Sequence, residues 1–299
     1  MIDSYENMPK SNAHPAGMKT VHGDKQNIQA RIIPEDHIYQ RKNGRNLRIR
    51  LVYPEGYELE GPYPTLVHIQ GSGWFQQDLN NIITDFMPIV KRGFVLAVVE
   101  YLPLPDASFP SHIHDAKTAV RYLDAHADEL ALDMKNLFLS GDSSGGHTAV
   151  MAWATWQTDR LDNSTVPLPA VKACIDIYGV TDFGAIVNQP SATDHAKPTS
   201  PPNLLLTEFI RGNDDAHVKQ ASVLYYLERH KPEAPLLILH GNKDTVVPFE
   251  QSVLLYEACL EHDLDAEFYC VDEADHGGSI FYTDEVVGII RDFLITHVD

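Results

Sequence analysis

The residues from Gly141 to Gly145 place a serine where it could act as a nucleophile. The stretch FLSGDSSGGHTAV fits the pattern G-x-S-x-G, with Ser143 at its centre. A β-rich run, NLFL, ends just before it and a small-residue stretch, HTAVMAWATW, begins just after it, which is typical of the strand, sharp turn and helix of a nucleophile elbow. The alternative is an ordinary Gly/Ser turn that leads into a helix. We predict Ser143 as the nucleophile, because small neighbours allow the strand and the helix to approach closely.

A serine hydroxyl needs a base, ordinarily an imidazole. Four of the fifteen histidines lie after residue 230: His240, His262, His276 and His297. His276 occupies the turn EADHGGS straight after the last predicted strand, where a loop can carry its ring towards Ser143. His240 closes a predicted strand, His262 lies in the polar tail of a helix, and His297 lies at the terminus. We therefore predict His276 as the base, the alternative being a surface histidine.

An acid must hold the second ring nitrogen of that base, and in this chain order it lies between serine and histidine. LLILHGNKDTVVP places Asp244 in a loop directly after the seventh predicted strand. Asp272 and Glu273 are closer to His276 in the chain, but a carboxylate so near its histidine seldom faces Nδ1. Asp244 is the predicted acid, with Asp272 or Glu273 in reserve.

A tetrahedral intermediate also needs N–H donors for its oxyanion. The residue after the nucleophile, Ser144, is expected to supply one. The loop VHIQGSGW is expected to complete the set with Ser72 and Gly73, where small residues leave the backbone open to a ligand. Trp74 is either a wall of the substrate pocket or a packing residue, and the sequence leaves both open.

These residues need a scaffold, and short β-rich runs alternate with helical stretches along the whole chain. This alternation predicts one α/β domain over residues 1–299, with a mostly parallel, eight-stranded sheet flanked by helices. The predicted strands are 35–41, 46–53, 65–70, 94–101, 136–140, 173–179, 235–240 and 266–271. Helices are predicted at 112–128, after Ser143, at 249–261 and at 284–296.

Two segments fit this alternation poorly. Residues 1–34 are interpreted as an N-terminal extension. Residues 181–232 are rich in proline and carry an apolar patch, and we interpret them as a lid or pocket-lining insertion above the carboxyl edge of the sheet. The alternative for 181–232 is an ordinary surface loop and helix.

The composition limits the classes of molecule that this protein is expected to bind. The chain has 299 residues, 23 Lys and Arg against 42 Asp and Glu, and a formal net charge of −19, which disfavours nucleic acid and anionic membranes. No secretory signal or long apolar run is visible, so a cytoplasmic location is expected. We expect a small-molecule substrate as the partner, and a homodimer is left open.

No metal or organic cofactor is expected. The chain has three cysteines, an odd number at scattered positions, which argues against a disulfide framework and against a zinc cluster. We interpret Cys174, Cys259 and Cys270 as buried free thiols. In the stretch HIHD, His112 and His114 are two residues apart, which favours the entry and solvated face of a helix over a metal site.

In combination these motifs resemble the α/β-hydrolase esterases of the hormone-sensitive-lipase type and their acetyl and feruloyl esterase relatives. GDSSGGH at 141–147, EYLPLPDASFPSHIHDAKTAVRYL at 100–123 and HGNKDTVVP at 240–248 carry the resemblance, which runs from about residue 35 to the C-terminus. Where that group shows His-Gly-Gly-Gly-Trp, this chain has Gln70, Gly71, Ser72, Gly73 and Trp74.

The resemblance implies a triad of Ser143, Asp244 and His276, in agreement with the choice made from the residues. It also implies an ester hydrolase that acts on a small acyl group, acetyl or hydroxycinnamoyl. Two alternatives remain. One is a peptidase or arylformamidase on the same scaffold, and the other is a non-catalytic ligand receptor with a hydrolase fold.

Overall fold

The structure is a computed structural model that describes residues 7–24, 26–56, 59–207 and 216–299. Its sheet begins with an antiparallel hairpin at the turn that the sequence predicts. Strands β2 (His37–Lys42) and β3 (Arg45–Glu55) pair around Asn43 and Gly44, whose φ angles are +50° and +77°. A two-residue turn with positive φ at both positions matches the twist of paired strands, and Asn-Gly tolerates it well.

One sheet of nine strands organises the described residues. The other strands are β1 (Gln29–Ile32), β4 (Tyr63–Ile69), β5 (Val95–Val99), β6 (Leu132–Asp142), β7 (Val171–Ile177), β8 (Leu236–Gly241) and β9 (Ala266–Val271). Their order is β1-β3-β5-β4-β6-β7-β8-β9, with β2 also on β3, and every pairing from β5 to β9 is parallel. The mostly parallel sheet is as predicted, and all eight predicted strands are present. The additional strand, β1, lies within the segment predicted to be an extension.

Helices cover both faces of the sheet. They are α1 (Ile83–Val90), α2 (Ser111–Ala125), α3 (Ser144–Ala154), α4 (Phe183–Ile186), α5 (Pro201–Leu206), α6 (Ala216–Gln220), α7 (Leu224–Leu227), α8 (Glu250–Glu261) and α9 (Asp284–Thr296), with a 3₁₀ turn at Ser279–Tyr282. The four predicted helices correspond to α2, α3, α8 and α9. Helix α1 was not predicted, since it is only eight residues long and contains Pro88.

The core consists of two apolar layers, one on each face of the sheet. Alternation along β4 shows the division, because Val67 belongs to the layer that contains the buried side chains of α2, α3 and α8, and Leu66 belongs to the layer that contains those of α1 and α9. With both faces covered, the carboxyl ends of the parallel strands are the edge where loops can form a site.

Residues 181–232 form α4 to α7, and residues 208–215 of this segment lie outside the described residues. The segment is anchored close to the predicted site. Phe109 N–H donates to Leu205 O at 3.0 Å, and the nucleophile helix reaches it through His147 Nε2, 2.9 Å from Ala221 O.

The predicted burial of the three cysteines can be compared with the structure. Cys174 and Cys259 are buried, as predicted, whereas Cys270 is exposed, so the prediction was wrong for that residue. Cys270 lies on β9, the last strand in the order of the sheet, where a side chain can face solvent. Within the described residues, no helix has both the length and the apolar character needed to span a bilayer.

Candidate active site

The nucleophile elbow forms where the sequence predicts it. Strand β6 ends at Asp142, helix α3 begins at Ser144, and Ser143 between them has φ +52° and ψ −122°. Few non-glycine residues adopt such a backbone conformation, and it persists only where the surroundings enforce it. A Cβ placed on Gly141 would lie 2.2 Å from Gly145 O, and one on Gly145 would lie 1.9 Å from Ile69 O. Glycine is therefore required on both sides of Ser143.

Three side chains that are distant in the sequence meet at this elbow. His276 Nε2 lies 2.8 Å from Ser143 Oγ, and His276 Nδ1 lies 2.7 Å from Asp244 Oδ2. Ser143 follows β6, Asp244 follows β8 and His276 follows β9, so all three lie at the carboxyl edge of the sheet. The structure therefore brings together the three residues predicted to form the triad, in the predicted order of contacts.

The carboxylate of Asp244 is held by four hydrogen bonds. Its Oδ1 accepts the N–H groups of Val246 and Val247, both at 2.8 Å, and its Oδ2 faces His240 Nε2 at 3.2 Å as well as His276. Burial by itself raises the pKa of Asp244, but hydrogen bonds from His240 and His276 outweigh it and lower the pKa to about 2. Asp244 is therefore ionised at neutral pH and can orient the imidazole.

His240 is a residue that the sequence reasoning set aside because it closes a strand. The structure places it as a second imidazole on the acid, with its Nδ1 2.7 Å from Ser252 Oγ. The signal available in the sequence was its position, because His240 lies at the end of the buried strand β8, four residues before Asp244.

The two reserve acids lie elsewhere. Asp272 accepts from Asn242 Nδ2 at 2.7 Å, and Glu273 pairs with Lys243. Their neighbour Asp275 joins the two catalytic loops, because its Oδ1 accepts from Thr245 N, Thr245 Oγ1 and His276 N at 2.7 to 2.8 Å. The acid and histidine loops are thus tied together directly beside the triad.

The three predicted oxyanion donors differ in their surroundings. Ser72 N–H donates to Ser144 Oγ at 2.9 Å, so it is directed at that side chain and not at Ser143. Trp74 N–H donates to the same oxygen at 3.2 Å. Ser144 opens helix α3, where a backbone N–H has no intrahelical acceptor, and Gly73 lines the cavity with φ +60°. Gly73 and Ser144 remain the candidate donors.

A buried polar network behind the elbow was missed from the sequence. Asp142 Oδ1 accepts the N–H of Gly71 at 2.8 Å and faces His68 Nε2 at 3.1 Å, while His68 Nδ1 lies 2.9 Å from Ser140 Oγ. Asp142 thereby connects the oxyanion loop to the strand that carries the nucleophile. A carboxylate beside the nucleophile was the only signal of this network in the sequence.

Trp74 is a packing residue in this structure. It is 3% exposed, and its ring lies 5.4 Å from His147 and 5.5 Å from Phe183, centroid to centroid. Of the two roles left open, the geometry supports packing, since Trp74 is not among the residues that line the cavity at Ser143. His112 is buried in the same cluster, so its assignment to a solvated helix face was wrong. Burial lowers the pKa of His112 well below its usual value.

A cavity of about 620 Å³ opens at Ser143 and His276. Its other lining residues are Gly71, Ser72, Gly73, Asn81, Ile82, Asp85, Asp142, Tyr178, Val246, Gly277, Gly278, Ser279 and Tyr282. The centroid of the Tyr178 ring lies 4.8 Å from that of His276, with the two rings tilted by 59°, so Tyr178 packs beside the imidazole. No described residue of 181–232 is in this lining, and a lid role for that segment stays a prediction.

Fold and site together define an α/β-hydrolase whose Ser143, His276 and Asp244 are in hydrogen-bond contact. Residues 52–259, more than half of the chain, match the family model described as BD-FAE. The chain belongs to the BD-FAE family.

Curated relatives are more distant in sequence. Esterase LipC of Mycobacterium tuberculosis is 26% identical over 202 residues, which cover 64% of this chain and 47% of LipC. The probable carboxylic ester hydrolase LipM of the same organism is 26% identical over 200 residues, which cover 65% of this chain and 44% of LipM. The chain thus spans about half the length of these two relatives.

Among solved structures, a truncated carbohydrate esterase from gut microbiota superposes with a TM-score of 0.74. The two are 23% identical, and the match covers 92% of this chain and 98% of the other. Esterase 2 of Thermogutta terrifontis with propionate bound has a TM-score of 0.69 at 20% identity, and covers 88% of this chain and 93% of its own. At these identities the likeness supports the α/β-hydrolase fold.

Proposed function

We propose that this protein is a serine carboxylesterase that hydrolyses esters of small acyl groups, acetyl or hydroxycinnamoyl, through an acyl-enzyme. Ser143 is the nucleophile, His276 the base and Asp244 the orienting acid. The observation that carries the proposal is the continuous contact from Ser143 Oγ through His276 to Asp244, open to a cavity that can hold a small molecule.

The geometry supports the following chemistry. Ser143 Oγ–H donates to His276 Nε2, and His276 Nδ1–H donates to Asp244 Oδ2, so the imidazole is in the tautomer that can take the serine proton. As Oγ attacks the ester carbonyl, the imidazolium that forms is stabilised by the ionised Asp244. The imidazolium then protonates the departing alcohol.

The negative oxygen of the tetrahedral intermediate requires donors fixed in advance. We propose the N–H groups of Gly73 and Ser144 for this role. Water activated by His276 then attacks the acyl-enzyme, and the same donors stabilise the second intermediate. This sequence of steps needs no metal and no organic cofactor.

The acyl group and the alcohol are proposed from two considerations. The cavity wall carries the phenol rings of Tyr178 and Tyr282 together with polar groups of Asn81 and Ser279, which suits an aromatic acyl group or a polyhydroxylated alcohol. Relatives described as a carbohydrate esterase and as an esterase with bound propionate favour sugar esters and short acyl groups.

A panel of 4-nitrophenyl acetate, methyl ferulate, an acetylated xylo-oligosaccharide, formylkynurenine and an aminoacyl anilide tests the proposal. We expect ester turnover by the intact protein, a reduction of kcat of at least about 10⁴-fold in Ser143→Ala, and fluorophosphonate labelling that is lost in the same variant. Faster turnover of the amide substrates than of any ester would favour a peptidase or arylformamidase. Absence of both turnover and labelling would favour a non-catalytic receptor.

A further inference from the structure

One charged residue in the cavity wall has no part in the mechanism above. Asp85 lies in the first turn of α1, whose buried residues Ile83, Phe86, Ile89 and Val90 pack on the sheet. That packing leaves Asp85 on the flank of the helix, where it lines the cavity that contains Ser143. Asp85 is half-buried, and burial raises the pKa of its carboxyl group.

The charges that line this cavity are of one sign. The acidic side chains of the lining are Asp85 and Asp142, and among the described residues that line the cavity His276 is the one basic side chain, with no Lys or Arg. Asp142 is engaged by His68 and by the N–H of Gly71, whereas no described cation lies within ion-pair distance of Asp85. The charge of Asp85 is therefore the one that an incoming ligand meets with the least local compensation.

The carboxylates of the cavity also affect the pKa of Tyr282, which lines the same cavity. Burial raises the pKa of Tyr282, and the carboxylates of Asp142 and Asp85 raise it further, because each disfavours a second negative charge nearby. A substrate carboxylate that entered the cavity would meet the same repulsion.

We propose that Asp85 sets the charge preference of this cavity, so that anionic esters are disfavoured relative to neutral isosteres and cationic esters are favoured. The inference rests on the proposed esterase function, whose substrate class it narrows. Esters that carry a uronate or dicarboxylate group are then poor substrates, and neutral sugar esters are good ones.

Matched substrate pairs test the proposal. On the acyl side, 4-nitrophenyl hemisuccinate is compared with its methyl ester. On the alcohol side, butyrylthiocholine is compared with 3,3-dimethylbutyl thiobutyrate. The measured quantity is the ratio of kcat/KM within each pair, which does not depend on the fraction of folded enzyme.

We expect Asp85→Asn to reduce the preference for the methyl ester over the hemisuccinate by about threefold to tenfold, and to reduce the preference for the cation in the second pair. In the parent protein, raising the salt concentration should reduce the same preferences, and in the variant it should have a smaller effect. Asp85→Ser serves as a second variant if Asp85→Asn does not fold.

The matched control is Asp128→Asn, which removes one exposed charge away from the cavity. Unchanged ratios in both Asp85 variants, or an equal change in Asp128→Asn, would overturn the role of Asp85 while leaving the esterase function intact. Absence of Ser143-dependent turnover of every ester would overturn the proposed function and this inference together.

Discussion

The substitution Asp244→Asn is the most informative single change, because the carboxylate accepts more hydrogen bonds than the single oxygen of an amide can. Its Oδ2 accepts from the imidazoles of His240 and His276, and its Oδ1 accepts from the N–H groups of Val246 and Val247. An asparagine has one acceptor oxygen. In one orientation its NH₂ group faces the two backbone N–H groups, and in the other it faces His240 and His276.

The second orientation has a direct consequence for the reaction. An NH₂ group opposite His276 Nδ1 makes that nitrogen an acceptor, so the ring proton moves to Nε2. Such an imidazole donates to Ser143 Oγ and cannot take its proton. The first orientation keeps the tautomer but leaves buried donors opposed and removes the negative charge that stabilises the imidazolium.

The size of the effect follows from these contacts. A pKa lowered from 3.8 to about 2 corresponds to roughly 2.5 kcal/mol of preference for the ionised form of Asp244, at about 1.4 kcal/mol per pKa unit. The wrong tautomer adds to this loss. We therefore expect kcat to fall by about 10³- to 10⁴-fold, and the free energy of unfolding by about 1 to 3 kcal/mol at pH 7.

The assay combines ester turnover with urea unfolding at several pH values. Because folding lowers the pKa of Asp244, its ionised form stabilises the fold above about pH 4, and this stabilisation is lost as the pH falls towards 2. The difference in unfolding free energy between the parent and Asp244→Asn should therefore shrink over that range.

The control is Asp272→Asn, which removes the reserve acid at its contact with Asn242 and should change kcat by less than about threefold. If Asp244→Asn kept more than a tenth of the parent kcat, or if Asp272→Asn lost as much activity, the assignment of the acid would be wrong.

Two further predictions concern the residues around the elbow. Gly145→Ala should prevent folding, or lower the free energy of unfolding in urea by more than about 3 kcal/mol, since its Cβ would lie 1.9 Å from Ile69 O. The control is Gly288→Ala on α9, where a Cβ meets only the Arg291 side chain at 3.7 Å, and this change should be neutral or stabilising. Trp74→Ala should lower the free energy of unfolding by about 3 to 5 kcal/mol in the same assay, because its ring is buried. The variant should leave the ratio of kcat/KM between acetate and butyrate esters unchanged. A shifted ratio would show that the ring contacts the acyl group.

The meeting of Ser143, Asp244 and His276 could be predicted from the sequence for a geometric reason. Each follows a strand of one parallel sheet, and the carboxyl ends of such strands lie at a common edge. A shift of a predicted strand end by one or two residues moves a loop residue only slightly along that edge, so the prediction tolerates the boundary differences seen at β6.

Contacts that depend on side-chain direction could not be predicted in this way. The hydrogen bond from Ser72 N–H to Ser144 Oγ exists because the loop after β4 meets the first residue of α3, which no local sequence pattern encodes. Trp74 carries the same sequence signal whether it faces a ligand or the core. His240 becomes a partner of Asp244 only because the acid loop curls back over the end of its own strand.

The oxyanion loop illustrates how a departure from a family pattern can be compensated. Gln70 stands where the resembled esterases have histidine, and its Oε1 accepts the N–H of Asp78 at 2.8 Å, which holds the two ends of the loop together. The loop is also bonded to the elbow itself, through Gly71 to Asp142 and through Ser72 to Ser144. Because the nucleophile lies between these two anchor residues, a displacement of the elbow carries the loop with it. The distance between Ser143 and the proposed donors is thus maintained by bonds that do not involve residue 70.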